Sequence, residues 1–167
     1  MASSETLLTI GALVLLSIFT LSLNSHMVQD HTAIYQSEQY IEAMGAAQRY
    51  IEEAEALKFD ENKSATAIAS FTSSLSFGPD SNESYGSFDD VDDFNGFTVV
   101  DSLTNSIPFT VNISVYYVDP NNSFNSTSSN TYFKEMSVTI SSEAFAGAVG
   151  QSILLKKLFA YHYFFSN

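Results

Sequence analysis

The hydrophobic pattern changes character along this chain, and each change marks an element. From Thr6 to Leu23 the sequence TLLTIGALVLLSIFTLSL runs eighteen residues without a formal charge. As a helix it rises about 27 Å, against a bilayer hydrocarbon core of about 30 Å, so it can span a membrane. It is apolar around its whole circumference, unlike the surface helix of a soluble domain. Two other readings compete. A cleaved secretory signal carries a basic residue before the apolar run and a small-x-small site after it; here no Lys or Arg precedes the run, and Asn24-Ser25-His26 follows it. A buried helix of a soluble core is the second, since Thr9, Ser17, Thr20 and Ser22 dilute the apolar character.

Helical periodicity continues past the apolar run, because Met27 to Leu57 contains no Pro and a single Gly, Gly45. One long helix of two characters is predicted. In its second half Tyr40, Ala43, Ala47, Tyr50, Ala54 and Leu57 recur at spacings of three and four, with Ile34, Ile41, Met44 and Ile51 read as an adjoining stripe. The small residues Ala43, Gly45, Ala46 and Ala47 allow close approach of a sheet or helix, and Glu38, Glu42, Glu52, Glu53 and Glu55 fall on the solvent side.

After Asp60 the periodicity lapses into a Ser-, Gly-, Asn- and Asp-rich connection, with turn signals at Gly78-Pro79 and Asn95-Gly96 and one short helix expected between Ser64 and Leu75. Period-two alternation then predicts antiparallel strands at Phe97 to Asp101, Phe109 to Val118 and Tyr132 to Ser141. In the second, Phe109, Val111, Ile113, Val115 and Tyr117 share the face to be buried, and Thr110, Asn112, Ser114 and Tyr116 share the wet one. The run ILLKKLFAYHYFF suits strand or helix by periodicity, and a final strand is favoured. The expected division is an apolar helix over 1–26, its amphipathic continuation over 27–58, an acidic connection over 59–96 and a sheet region over 97–167.

Composition narrows the function. A length of 167 residues leaves room for one core beyond the apolar segment. Nineteen carboxylates against six Lys and Arg give a formal charge of -13, which excludes nucleic-acid binding by charge neutralisation. The absence of cysteine removes disulfides, thiolate metal sites and thiol nucleophiles together. Abundant Ser and Thr, nine Tyr and fourteen Phe suit a β-rich domain.

Four blocks, in order, carry a resemblance. The first is MASSETLLTIGALVLLSIFTLSLN, with Glu5 ahead of an uninterrupted apolar helix; the second is AAQRYIEEAEALKFDE, residues 46–61. The third is FDDVDDFNGF, residues 88–97, and the fourth is the pair FTVNISVYYVD and YFKEMSVTISS. Over most of its length the chain resembles type IV pilins and pseudopilins with the leader removed, although it lacks the FTLIE run of many members and has no Pro before position 79. The resemblance implies an α+β pilin-like fold, processing by a prepilin peptidase and a precursor held in the cytoplasmic membrane. It further implies a pilus assembly machinery and a helical homopolymer at the cell surface. It also implies roles: Leu7, Leu8, Ile10, Leu13, Val14, Leu16, Ile18 and Leu21 in the filament core, and Glu5 paired with the N-terminal amine at Met1 of a neighbouring subunit during assembly.

The residues offer no catalytic set. There is no Cys; His26 and His31 are five apart and do not share a helical face; His162 stands among aromatics, and no glycine-rich phosphate loop or H-E-x-x-H is present. An enzyme is not expected, nor is an organic cofactor. Asp89, Asp90, Asp92, Asp93 and Asn95 crowd oxygen ligands onto one turn, which suits Ca²⁺ although the EF-hand spacing is not met; a solvated acidic loop is the alternative. N-x-S/T triplets start at Asn62, Asn82, Asn112, Asn121 and Asn125 and make glycosylation chemically feasible. Two functions follow: a structural subunit that polymerises through its apolar helix into an extracellular filament, or, as the alternative, a single-pass membrane-anchored acidic ectodomain or a minor pseudopilin of a secretion system that binds a partner without forming a long filament.

Overall fold

A computed structural model describes residues 3–61, 67–102, 107–145 and 152–161. Among them lie one long helix, α1 (Ser4–Glu55), and the strands β1 (Thr98–Ser102), β2 (Pro108–Asp119), β3 (Asn125–Thr127), β4 (Phe133–Ser141) and β5 (Ser152–Ala160). The fold is α+β: the second half of a long N-terminal helix packs on an antiparallel sheet, the architecture implied by the resemblance. The chain divides into two compact units, Met1–Glu38 and Gln39–Asn167.

The described part of the first unit is almost wholly helix, and only Gln36 escapes full exposure. Its hydroxyl side chains do not break the apolar surface. Thr9 donates to Glu5 O, Ser17 to Leu13 O and Thr20 to Leu16 O, each at 2.8 Å, so the polar atoms are satisfied within the helix.

In the second unit α1 buries Gln39, Ala43, Ala47, Tyr50, Ile51 and Ala54. Ala43, Ala47 and Ala54 are fully inaccessible, and their small size brings the helix backbone close to the strands. Tyr40 and Leu57 flank this face as expected. The adjoining stripe is corrected: Ile51 is buried, but Ile34, Ile41 and Met44 are exposed. At about 100° per residue, Ile41 points about 160° away from Ala43 and about 120° from Ala47, whereas Ile51 lies about 40° from Ala47 and stays near the buried side.

The sheet runs β1-β2-β4-β5, with β3 also on β2, and every pairing is antiparallel. In β2 the predicted inner face holds, with Phe109, Val111, Ile113, Val115 and Tyr117 all buried. Across the sheet Val138 stands between Ile113 and Leu155, tying β2, β4 and β5 into one core layer. The predicted strands are present with ends shifted by about one residue, as alternation alone leaves them. The favoured final strand is β5, ending at Ala160; residues 162–167 lie outside the described ones. The short helix expected at Ser64 to Leu75 is instead two single 3₁₀ turns, Ile68–Ser70 and Ser74–Ser76, and residues 62–66 are outside the description. β3 was not expected: it lies inside the polar turn after β2, where Ser123 and Phe124 take positive φ of 52° and 56° and fold the chain back.

Candidate functional site

Two places carry unusual chemistry. The first is the apolar start of α1. Leu7, Leu8, Ile10, Leu13, Val14, Leu16, Ile18 and Leu21 are between 51 and 73 % exposed, so among the described residues of the first unit nothing covers the column. The helix is long and apolar enough to cross a membrane. Glu5 sits in its first turn, exposed, and no further formal charge follows before Asp30. Met1 is outside the described residues. His26 and His31 are exposed on the same helix, and His162 is not described.

The second place is the acidic connection, and here the solvated-loop reading is overturned. Asp90, Asp92 and Asp93 are buried, and Asp89 is half-buried. The loop is held inward because its carboxylates cap its own backbone. Asp93 Oδ2 accepts from the amides of Asp89 (2.9 Å) and Asp90 (3.2 Å), and Asp90 Oδ1 accepts from those of Asp92 (2.8 Å) and Asp93 (3.3 Å). Lys58 and Asp90 form a parallel bridge, in which Val91 N donates to Lys58 O at 3.0 Å, and the Lys58 ammonium pairs with Asp89. The segment that leaves α1 and this loop are thereby fixed together.

Beneath the loop lies a lysine with no accessible surface. Lys134, on the inner face of β4 beside Met136, Val138 and Ile140, donates to Asp92 Oδ1, to Phe59 O at 2.6 Å and to Asp60 Oδ2 at 3.2 Å. Its Nζ also lies 4.6 Å from the ring centre of Phe59, 4.9 Å from Phe77 and 5.5 Å from Tyr117. Asp60 in turn accepts from Thr72 N at 3.0 Å, and the Tyr117 hydroxyl donates to Thr72 O at 2.8 Å. A buried ammonium is tolerated only with such a complete set of partners.

The electrostatics follow from crowding three buried carboxylates, Asp60, Asp90 and Asp92, around one cation. Burial, then the charge of Asp92, pushes the Asp90 carboxyl up to about 8, and Lys134 only partly offsets this. Burial also raises Asp92, against the opposing pull of Lys134. Asp90 therefore holds a proton at neutral pH and can donate it toward Asp92.

Of the five residues proposed for Ca²⁺, the structure does not converge all on one point. Asp92 turns to Lys134, while Asn95 accepts from Val115 N at 3.0 Å and helps to anchor β2. Carboxylate oxygens of Glu61, Asp89 and Asp90 lie within 4.8 Å of one another, as do those of Glu83, Asp89 and Asp93, so a different set could hold a cation. Sequence reasoning missed Lys134. Its signal was present, because the alternation of Lys134, Met136, Val138 and Ile140 places the lysine on the buried face of a predicted strand.

Comparison of the chain with protein-family models, with curated proteins and with solved structures finds no significant match to any of the three.

Proposed function

We propose that this chain is a structural subunit of a type IV pilus-like filament, anchored in a membrane before assembly and packed against other copies through the first half of α1 afterwards. The observation that carries the reading is the uncovered apolar column with one carboxylate at its start. An apolar surface of this extent is not stable in water and requires either lipid or other apolar helices. Glu5 separates the two. A carboxylate in a hydrocarbon or dry protein core costs on the order of 3 kcal/mol, and a lone anchor gains nothing from placing one there. In a polymer, the same carboxylate paired with a cation of the next subunit fixes the axial register of an otherwise featureless contact. The acidic second unit suits the outside of such a polymer, since its charge keeps neighbouring filaments apart in solution.

The test is to shear the cell surface, examine the released material by negative-stain microscopy and identify its protein by mass spectrometry. Thin filaments whose main component is this chain support the proposal. Recovery only as an unassembled membrane protein would leave the single-pass, partner-binding ectodomain as the reading.

A further inference from the structure

The surroundings of Lys134 are those of a reaction site as well as of an ion pair. An amine and a carboxyl group in contact in water exchange with solvent and remain separate ions. Held in a dry pocket, with a second carboxylate to move protons, they are reactants positioned for condensation. All three parts are present. The Lys134 side chain has no accessible surface, and that of Asp92 is 5 % exposed and touches it. The second carboxylate, Asp60, is 1 % exposed with Oδ2 at 3.2 Å from Nζ. The rings of Phe59, Phe77 and Tyr117 surround the nitrogen and exclude water.

We propose that Lys134 and Asp92 form an intramolecular amide bond, joining β4 covalently to the turn Asp92–Phe94, with Asp60 as the catalytic proton carrier. The reaction starts from the ammonium of Lys134 and the carboxylate of Asp92. Asp60 takes one proton from Nζ, and the freed lone pair attacks Cγ of Asp92 to form the C–N bond. The tetrahedral centre then loses one of its carboxyl oxygens. Two protons originally on Nζ leave with that oxygen, one of them through Asp60, so an ammonium and a carboxylate become an amide and one water with no other reactant. Asp60 suits the carrier role because the Thr72 amide holds it in place beside Nζ. Asp90 abuts Asp92, and its retained proton polarises the Asp92 carboxyl for attack. The product is favoured by its setting: condensation replaces two buried charges by a neutral amide and releases water from a site that water does not re-enter. The bond closes a sequence separation of 42 residues in a chain without cysteines, supplying the covalent restraint that a disulfide would otherwise give.

The test uses the full chain purified in detergent, denatured, digested and mapped by tandem mass spectrometry. The expected result is a branched peptide carrying both Asp92 and Lys134, lighter than the sum of its two arms by one water. The Lys134 amine should be unreactive to acylating reagents after denaturation. In the Lys134→Arg chain both arms should appear unlinked, and in Asp60→Ala the branched fraction should fall at least tenfold while the ectodomain still melts cooperatively. A Lys134 that is fully acylated in the denatured wild-type chain overturns the proposal. So does a water loss that maps elsewhere or persists in Lys134→Arg, and an amide found on Asp60 overturns the assignment.

Discussion

Replacing Asp90 by Asn should stabilise the protein at mildly alkaline pH, although it removes a buried ionisable residue beside Asp92 and Lys134. Burial beside Asp92 holds the Asp90 carboxyl at about 8 in the folded protein, whereas an unfolded aspartate titrates near 3.9. Between those values the folded state keeps a proton that the unfolded state releases. Stability is therefore greatest below the unfolded value, declines as pH rises through the window, and levels off above the folded value. The ceiling is about 1.4 kcal/mol per pH unit, or about 4 kcal/mol from about pH 5 to about pH 8. Burial, the larger cause, acts whether or not Lys134 and Asp92 are joined, whereas the charge of Asp92 and the opposing pull of Lys134 act only in the unlinked chain, so about 2 kcal/mol rather than the ceiling is the expected change. Asn retains the side-chain oxygen that accepts from the amides of Asp92 and Asp93, and its NH₂ replaces the hydroxyl beside Asp92. Thermal melts of residues 28–167, followed by circular dichroism, should show the wild-type midpoint dropping by about 5–10 °C between those pH values. The Asp90→Asn midpoint should be nearly flat and higher than wild type at the alkaline end. A wild-type midpoint that rises with pH, or an Asn variant destabilised equally at both ends, would refute the reasoning.

Two further outcomes follow from the same structure. Ala47 is completely inaccessible where α1 meets the sheet, so Ala47→Lys should destabilise the ectodomain by about 3 kcal/mol or more, and an unchanged midpoint in the same melts would show that this face is not packed. Chelation of divalent cations should leave the wild-type midpoint unshifted, because Asp92 and Asn95 are engaged with Lys134 and Val115; a clear drop on chelation would assign Ca²⁺ to the carboxylates around Asp89.

The elements of the fold were legible where a local period decides them. An uninterrupted helical run without Pro gave α1, and strict alternation gave the buried face of β2, because burying one side of an element imposes its period on the sequence. Ile41 shows the limit: an apolar residue at roughly helical spacing was assigned to the buried side, yet 68 % of its surface is exposed, and only its angular distance from Ala43 and Ala47 distinguishes it. The acidic loop was misread for another reason. Its charge pattern is that of a solvated turn, and what makes burial tolerable is a lysine 42 positions further on, brought to Asp92 by the pairing of β4 with β2. Nothing local to FDDVDDFNGF announces that partner. The exposed column of α1 was legible in composition, as an apolar run with no polar face to turn toward water.

Glu5 provides the most direct test of the filament account. Glu5→Leu removes the one carboxylate at the start of the apolar column and makes the helix more apolar, easing its entry into lipid by about 3 kcal/mol. Membrane insertion should then be retained and ectodomain melting unchanged, while the yield of sheared filaments, quantified by electron microscopy and by the amount of this chain in the sheared fraction, should fall sharply or vanish. Normal filament yield from the Glu5→Leu chain would contradict an assembly role and leave the carboxylate as a complement to the positive end of the helix dipole, a contribution of about 0.5 kcal/mol.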